Sequence, residues 1–333
     1  MGLVRLDLNE SPFKPPREVV EAALNALKEV NRYPPARLVE ELRLAVAEYS
    51  GVRKDMVAIG CGADSLIALI IMMKAREGGP VAAPRYSFTM YREAAEASGL
   101  GLVWVPMEAL GGWWRLDTGA AVEAARRASI VFIDRPNNPT GSMLVSIGEL
   151  EEILEAAKGL VVVDEAYYEF SRETVAGLVE LHDNLVVLRT FSKAFSLAGL
   201  RVGYAIASPG IASRLQSLLP FPTSTPSLAA ALKALEEGSY VDEIVRYVDM
   251  EKGRVAAVAS RLGARVYDSR ANFLLIDTGV DGAAGRLEKL GVKVRRVPLG
   301  GSYVRVTVGS REENDKFLEA LAKILEASRS SSS

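Results

Sequence analysis

The sequence predicts an α/β architecture: a large domain on a mostly parallel sheet with helices on both faces, followed by a smaller α+β domain. Three observations carry this. Short apolar runs at 56–59, 81–83, 102–105, 130–133, 160–163, 185–188 and 202–207 are interleaved with segments of helical spacing, the pattern of a parallel sheet with crossover helices. The pattern changes after Ala207, where Pro209, Pro220, Pro222 and Pro226 precede a long helical stretch and a second set of strand-like pieces. The 333 residues, 49% of them hydrophobic, suffice for a large core and two domains.

In chain order, residues 3–16 read as an extended arm punctuated by proline. Residues 17–31 space Val20, Ala23, Leu24 and Leu27 as one helical face, and Arg-Tyr-Pro-Pro at 32–35 breaks it. Residues 36–49 form a second helix through Leu38, Leu42 and Val46. The strand at 56–59 runs into Gly60-Cys-Gly-Ala-Asp-Ser65 and a helix at 66–74 that is apolar on nearly every side, and so is buried. Helices follow at 91–98, 120–128 and 147–157. Beyond the proline boundary come a helical stretch at 227–262 broken near Gly238, strands at 265–267, 272–276, 293–297 and 303–308, and a closing amphipathic helix at 312–327. The serine tail, 328–333, is expected to fray. The resulting division is an arm and helix at 1–30 packing with the smaller domain, a large domain at 31–225 and a small domain at 226–333.

Composition excludes several classes. A net charge of −2 suggests neither a nucleic-acid nor a membrane-surface partner. The one cysteine, Cys61, permits no internal disulfide and fits a reducing cytoplasm. The one histidine, His182, lies in a polar turn and is read as a surface residue, which disfavours a histidine metal site or a Ser-His-Asp triad. No signal peptide is apparent, and the longest apolar stretch, 66–73, is too short to span a bilayer.

The segment 186–204 holds the most distinctive chemistry. Thr190, Ser192 and Lys193 interrupt two apolar runs, and Arg201 follows eight residues after the lysine. An ammonium between buried strands is costly unless it is used; an amine of lowered pKa forms a Schiff base with an aldehyde. The hydroxyls and Arg201 suit a phosphate dianion. The alternative is a loop lysine beside a core strand. Other polar groups end other strands, where open α/β sheets bind ligands. Gly60–Ser65 would offer backbone N–H groups to an anion, or serve as a plain helix cap with Asp64 as the capping side chain. Residues 84–91 carry aromatics suited to stacking or to core packing. Arg135-Pro-Asn-Asn-Pro-Thr-Gly141 is a turn. Asp164 ends a buried run, where a lone carboxylate needs a partner: a bound cation or a structural ion pair.

Together these motifs resemble the fold-type I pyridoxal-phosphate (PLP) aminotransferases, and Thr-Phe-Ser-Lys-Ala-Phe-Ser-Leu-Ala-Gly-Leu-Arg at 190–201 looks most like the histidinol-phosphate aminotransferase family. The resemblance covers essentially the whole chain. It implies a seven-stranded large-domain sheet and PLP as cofactor, with Lys193 holding it and then acting as general base and acid. It further implies that Ala63, Asp64, Thr190, Ser192 and Arg201 bind the cofactor phosphate, that Phe88 (with Tyr86 as runner-up) stacks on the ring, and that Asn138 and Tyr167 bind its phenolic oxygen. Asp164 would face the ring nitrogen, and Tyr33 would reach the phosphate bound by a partner subunit, which implies a homodimer. Ser65 departs from the family, which usually has an acid there.

For the substrate, the resemblance makes Arg305 the anion clamp, Arg295 a second contact to the substrate phosphate, with Arg296 adjoining it, and Asn272 a neighbour of the substrate. The opening Leu6-Asp-Leu-Asn-Glu-Ser-Pro-Phe13 looks like the family's arm. An extra N-terminal Pro-Tyr segment found in many members is absent from this sequence. The expected reaction is L-histidinol phosphate plus 2-oxoglutarate giving imidazoleacetol phosphate and L-glutamate, with small molecules as the only other partners. A threonine-phosphate decarboxylase and an aromatic amino-acid aminotransferase of the same fold are the alternatives; a non-catalytic nucleotide-binding or regulatory protein is the alternative from another class.

Overall fold

A computed structural model describes residues 2–332. Seven strands form the larger sheet, in spatial order Val57–Gly60, Gly203–Ala207, Leu185–Thr190, Leu160–Asp164, Ile130–Asp134, Val81–Pro84 and Leu102–Val105. Gly203–Ala207 runs antiparallel to both its neighbours, and the other pairings are parallel. The near-continuous Val, Ile and Leu runs follow from burial on both faces. Each face carries its own apolar cluster, one including Leu42, Val163 and Val187, the other Ile67, Ile70, Val162 and Val186.

The smaller sheet orders Val4–Leu6, Val292–Arg296, Tyr303–Thr307, Phe273–Asp277 and Arg265–Val266, backed by Arg311–Ser332 and the second half of Ser239–Arg261. Its edge strand comes from the N-terminus: Val4, Arg5 and Leu6 pair in parallel with Val292, Lys293 and Val294. The following helix, Arg17–Ala26, packs on Thr225–Glu236.

Several expectations change. The extended arm at 3–16 is tied down by that edge strand, Val4–Leu6. Helix 17–31 ends at Ala26 and tightens into a 3₁₀ turn at Leu27–Glu29. The hairpin Met107–Leu110 with Trp113–Leu116 and the short helix Ala283–Lys289 lie where no element was expected. The proline region contains a helix, Pro209–Leu218, with Pro209 at its first turn, where a missing N–H costs nothing. Helix Gly62–Ala75 is buried or half-buried along its length except at Met72, which is 63% exposed. The closing helix continues to Ser332; Ser333 lies outside the described residues. Among the described residues no helix is long and apolar enough to cross a membrane.

Candidate active site

The carboxyl ends of the parallel strands converge on a cavity of about 330 Å³, capped by residues of the smaller sheet and by the arm at Asp7, Leu8 and Asn9. The reversed strand Gly203–Ala207 brings its beginning, not its end, to this rim. Gly203 registers with both Thr190 and Gly60, so Arg201, just before it, meets the Thr190 and Gly60 strand ends.

One pole of the cavity is built for an anion. Arg201 donates from Nη2 to Asp64 Oδ1 at 2.6 Å and from Nη1 to Ser192 Oγ at 3.3 Å. Thr190 Oγ1 lies 2.9 Å from Ser192 Oγ. Ala63 and Asp64 sit in the first turn of Gly62–Ala75, whose leading N–H groups have no intrahelical acceptor. Asp64 does not cap the helix as expected: its carboxylate goes to Arg201, and no side chain among the described residues caps this N-terminus. The close approach depends on glycine. A Cβ on Gly203 would stand 2.5 Å from the Ala63 nitrogen, and one on Gly62 would stand 2.5 Å from Arg201 Nη2.

Lys193 sits half-buried among these groups, its Nζ donating to the Leu8 carbonyl at 3.1 Å and 5.9 Å from the Tyr167 ring centroid. Desolvation first, then the Arg305 guanidinium, pushes its ammonium down to about 8. Such an amine is neutral in a larger fraction than an ordinary lysine near physiological pH, and its neutral form can attack an aldehyde.

Opposite it stand two buried carboxyls at neighbouring strand ends, Asp134 and Asp164, which are register partners. Asp164 accepts from the Tyr91 hydroxyl at 2.9 Å and from Ala166 N at 3.0 Å, and burial lifts it to about 6. Asp134 accepts from Asn137 Nδ2 at 2.8 Å and from Asn138 N at 2.9 Å, and burial lifts it to about 7. Asp134 thereby fixes the turn that presents Asn138. Tyr167, whose hydroxyl burial pushes up to about 12, accepts from Asn9 Nδ2 at 2.8 Å. Phe88 lines the cavity; Tyr86 instead packs edge-on to Trp114.

The other pole is cationic. Arg305, 6% exposed, donates from Nη1 to Asn138 Oδ1 and from Nη2 to the Asp7 carbonyl, both at 2.5 Å, while its Nε has no partner among the described residues. Burial lowers its pKa to about 10. Arg295 registers with Arg305 across the sheet and, with Arg296, lines the cavity from an exposed position. Two expected site residues are not brought to this wall. Asn272 is buried behind the arm, donating from Nδ2 to the Asn9 carbonyl at 3.1 Å. Tyr33 lies outside the chain's own cavity, 77% exposed and stacked on Phe221 with ring centroids 4.4 Å apart.

The sequence reading did not single out Asn9, Asp134 and Tyr91. Asp134 had a legible signal: like Asp164, it directly follows a buried apolar run. Asn9 was legible only as part of the arm string at 6–13; its own role was not, because its side-chain partners Tyr167 and Thr307 lie 158 and 298 residues away.

This fold and this set of groups are those of an aminotransferase. Residues 2–321 match the model of aminotransferase class I and II, and the chain belongs to that family. The histidinol-phosphate aminotransferase of Sulfurisphaera tokodaii is 36% identical over 97% of this chain and 90% of its own length. That of Thermococcus kodakarensis is 40% identical over 95% and 91%. The crystal structure of histidinol-phosphate aminotransferase from Sinorhizobium meliloti, in complex with pyridoxal-5'-phosphate, superposes with a TM-score of 0.87 at 27% identity, covering 98% of this chain and 91% of that one.

Proposed function

We propose that the protein is a PLP-dependent histidinol-phosphate aminotransferase, passing the amino group of L-histidinol phosphate to 2-oxoglutarate. The observation that carries this reading is the cavity's two cationic poles, Arg201 on one side and Arg305 with Arg295 and Arg296 on the other, with Lys193 between them. The residues fit PLP. Ala63 N–H, Thr190, Ser192 and Arg201 would hold its phosphate, Phe88 would cover its ring, and Asp164 would face the ring nitrogen. Asn138 and Tyr167 would hold the phenolic oxygen. When bound, PLP supplies an electron sink for the carbon that loses its proton.

The chain's own groups do the rest. Burial makes Asp164 an expensive lone anion, so it gains most from a cationic partner. Lys193, with its lowered pKa, can take a proton and return it across the same face. Arg305, whose two terminal nitrogens donate to Asn138 Oδ1 and the Asp7 carbonyl at the cavity wall, can offer its guanidinium to the carboxylate of glutamate or the phosphate of histidinol phosphate. Arg295 and Arg296 add charge where a dianion would need it. The names of the relatives support the same substrate.

A homodimer completes the reading: Leu24, Leu27, Val30, Tyr33 and Phe221 leave large apolar surface exposed, suited to a second copy, with Tyr33 reaching its site. The single thiol, Cys61, is in keeping with the cytoplasm. The test is incubation of the purified protein with PLP, 2-oxoglutarate and, in turn, L-histidinol phosphate, L-threonine phosphate and L-phenylalanine. Glutamate should form fastest with histidinol phosphate. Release of CO2 from threonine phosphate without transamination would overturn the assignment.

A further inference from the structure

The arm crossing the cavity mouth presents three successive carbonyls to side chains: Asp7 to Arg305 and Leu8 to Lys193, both of which line the cavity, and Asn9 to Asn272 behind the arm. Its third residue does more. Asn9 is 1% exposed and has a φ of +54°, in the left-handed region that asparagine tolerates better than most residues. All its polar groups are engaged. Its N–H donates to Thr307 Oγ1 at 2.9 Å, and its Oδ1 accepts from the same hydroxyl at 3.1 Å. That leaves Nδ2 to donate to the Tyr167 hydroxyl oxygen at 2.8 Å.

The donor direction matters because a phenol has one proton. Since Asn9 donates, Tyr167 keeps that proton for a different acceptor. We infer that Asn9 is a positioning residue that commits the Tyr167 proton to an acceptor bound in the cavity, which under the proposed function is the phenolic oxygen of PLP. Thr307 and Asn272, both of the smaller domain, hold Asn9, whereas Tyr167 follows a strand of the larger sheet. The hydrogen bond is therefore also a direct tie between the two units. Asp134, Asp164, Lys193 and Arg305 are the charged groups facing Tyr167, and none of them holds its hydroxyl in the structure.

Asn9→Asp keeps the shape and the left-handed backbone but replaces the donor with an acceptor, so Tyr167 would give its proton to the carboxylate introduced there. Asn9→Gly keeps the backbone and removes the side chain. A donor on the phenolic oxygen of PLP disperses the charge with which that oxygen retains a nearby proton, so losing it raises the pH midpoint of the cofactor's visible band. In the PLP-loaded protein that midpoint should rise by about one pH unit in Asn9→Asp, and by less in Asn9→Gly. Tyr167→Phe should raise it as well, and adding Asn9→Asp to Tyr167→Phe should change nothing further. Asn9 variants that titrate as the wild type while Tyr167→Phe shifts would overturn the inference. So would an Asn9→Asp shift that persists in full without the Tyr167 hydroxyl, since the added charge would then be acting alone. A wild-type protein with no visible band would overturn the PLP reading itself, a result distinct from either.

Discussion

Replacing Arg189 with leucine should be among the most damaging single changes in the larger domain, although the residue does not line the cavity. Arg189 is 1% exposed and Glu165 fully buried. They meet through Nη2–Oε2 at 2.9 Å and Nε–Oε2 at 3.0 Å. Glu165 also accepts from Val175 N at 2.7 Å and Thr174 Oγ1 at 2.8 Å, and the guanidinium lies 3.6 Å over the Tyr168 ring. Without Arg189, Glu165 retains two hydrogen bonds but loses its directly paired cation while staying buried. Breaking a buried pair in this way costs about 3–5 kcal/mol, a large part of a total stability of roughly 5–15 kcal/mol. The midpoint of thermal unfolding, followed by circular dichroism, should therefore fall by roughly 4–7 °C. The double variant Arg189→Leu with Glu165→Met removes both charges and should recover most of the loss. A drop of only about 2 °C in the single variant, or a double variant no better than the single, would refute the reasoning. The pair also has a reach into the site: Glu165 follows Asp164, and Arg189 precedes Thr190.

Two further outcomes follow from the same kind of accounting. Burial lifts the Glu169 carboxyl to about 7, so the folded protein binds that proton more tightly than the unfolded chain does. Its contribution to stability is complete below about pH 4 and is lost as pH rises through about 7. Glu169→Gln, which mimics the protonated form and can still accept from Tyr49, should be stabler than wild type by about 2 kcal/mol at pH 8 and no stabler at pH 4; a melting curve showing the reverse order would count against it. At the cationic pole, Arg295→Ala should raise KM for histidinol phosphate about tenfold and leave KM for glutamate nearly unchanged, whereas Arg305→Leu should raise both. Equal effects of Arg295→Ala on the two substrates would remove Arg295 from phosphate recognition.

How far the sequence disclosed this structure depends on the range of each interaction. Six of the larger-sheet strands were legible because burial on both faces writes a continuous apolar run, as at Leu185–Leu188, and the half-buried edge strand Leu102–Val105 was legible because it too is apolar throughout. The strand-end groups Lys193 and Asp164 were legible because each interrupts or follows such a run, whereas Asn138, in a plain turn, was legible only through the family resemblance. The pair of strands around Trp113 was not, since Met107–Leu110 is mostly exposed and has no apolar alternation. Pro209 was read as punctuation, although a proline in a first turn equally begins a helix. Residues whose positions are set by distant contacts were hidden. Val4–Leu6 becomes a strand only by pairing with Val292–Val294, and the hold of Asn272 on the arm through the Asn9 carbonyl spans 263 residues.

The reversed strand Gly203–Ala207 has a mechanical corollary. The amine at 193 and the guanidinium at 201 belong to one short excursion of backbone, hinged at both ends on adjacent hydrogen-bonded strands. Whatever displaces one displaces the other. A molecule gripped by its anionic tail there would be held by the same stretch of backbone that carries Lys193.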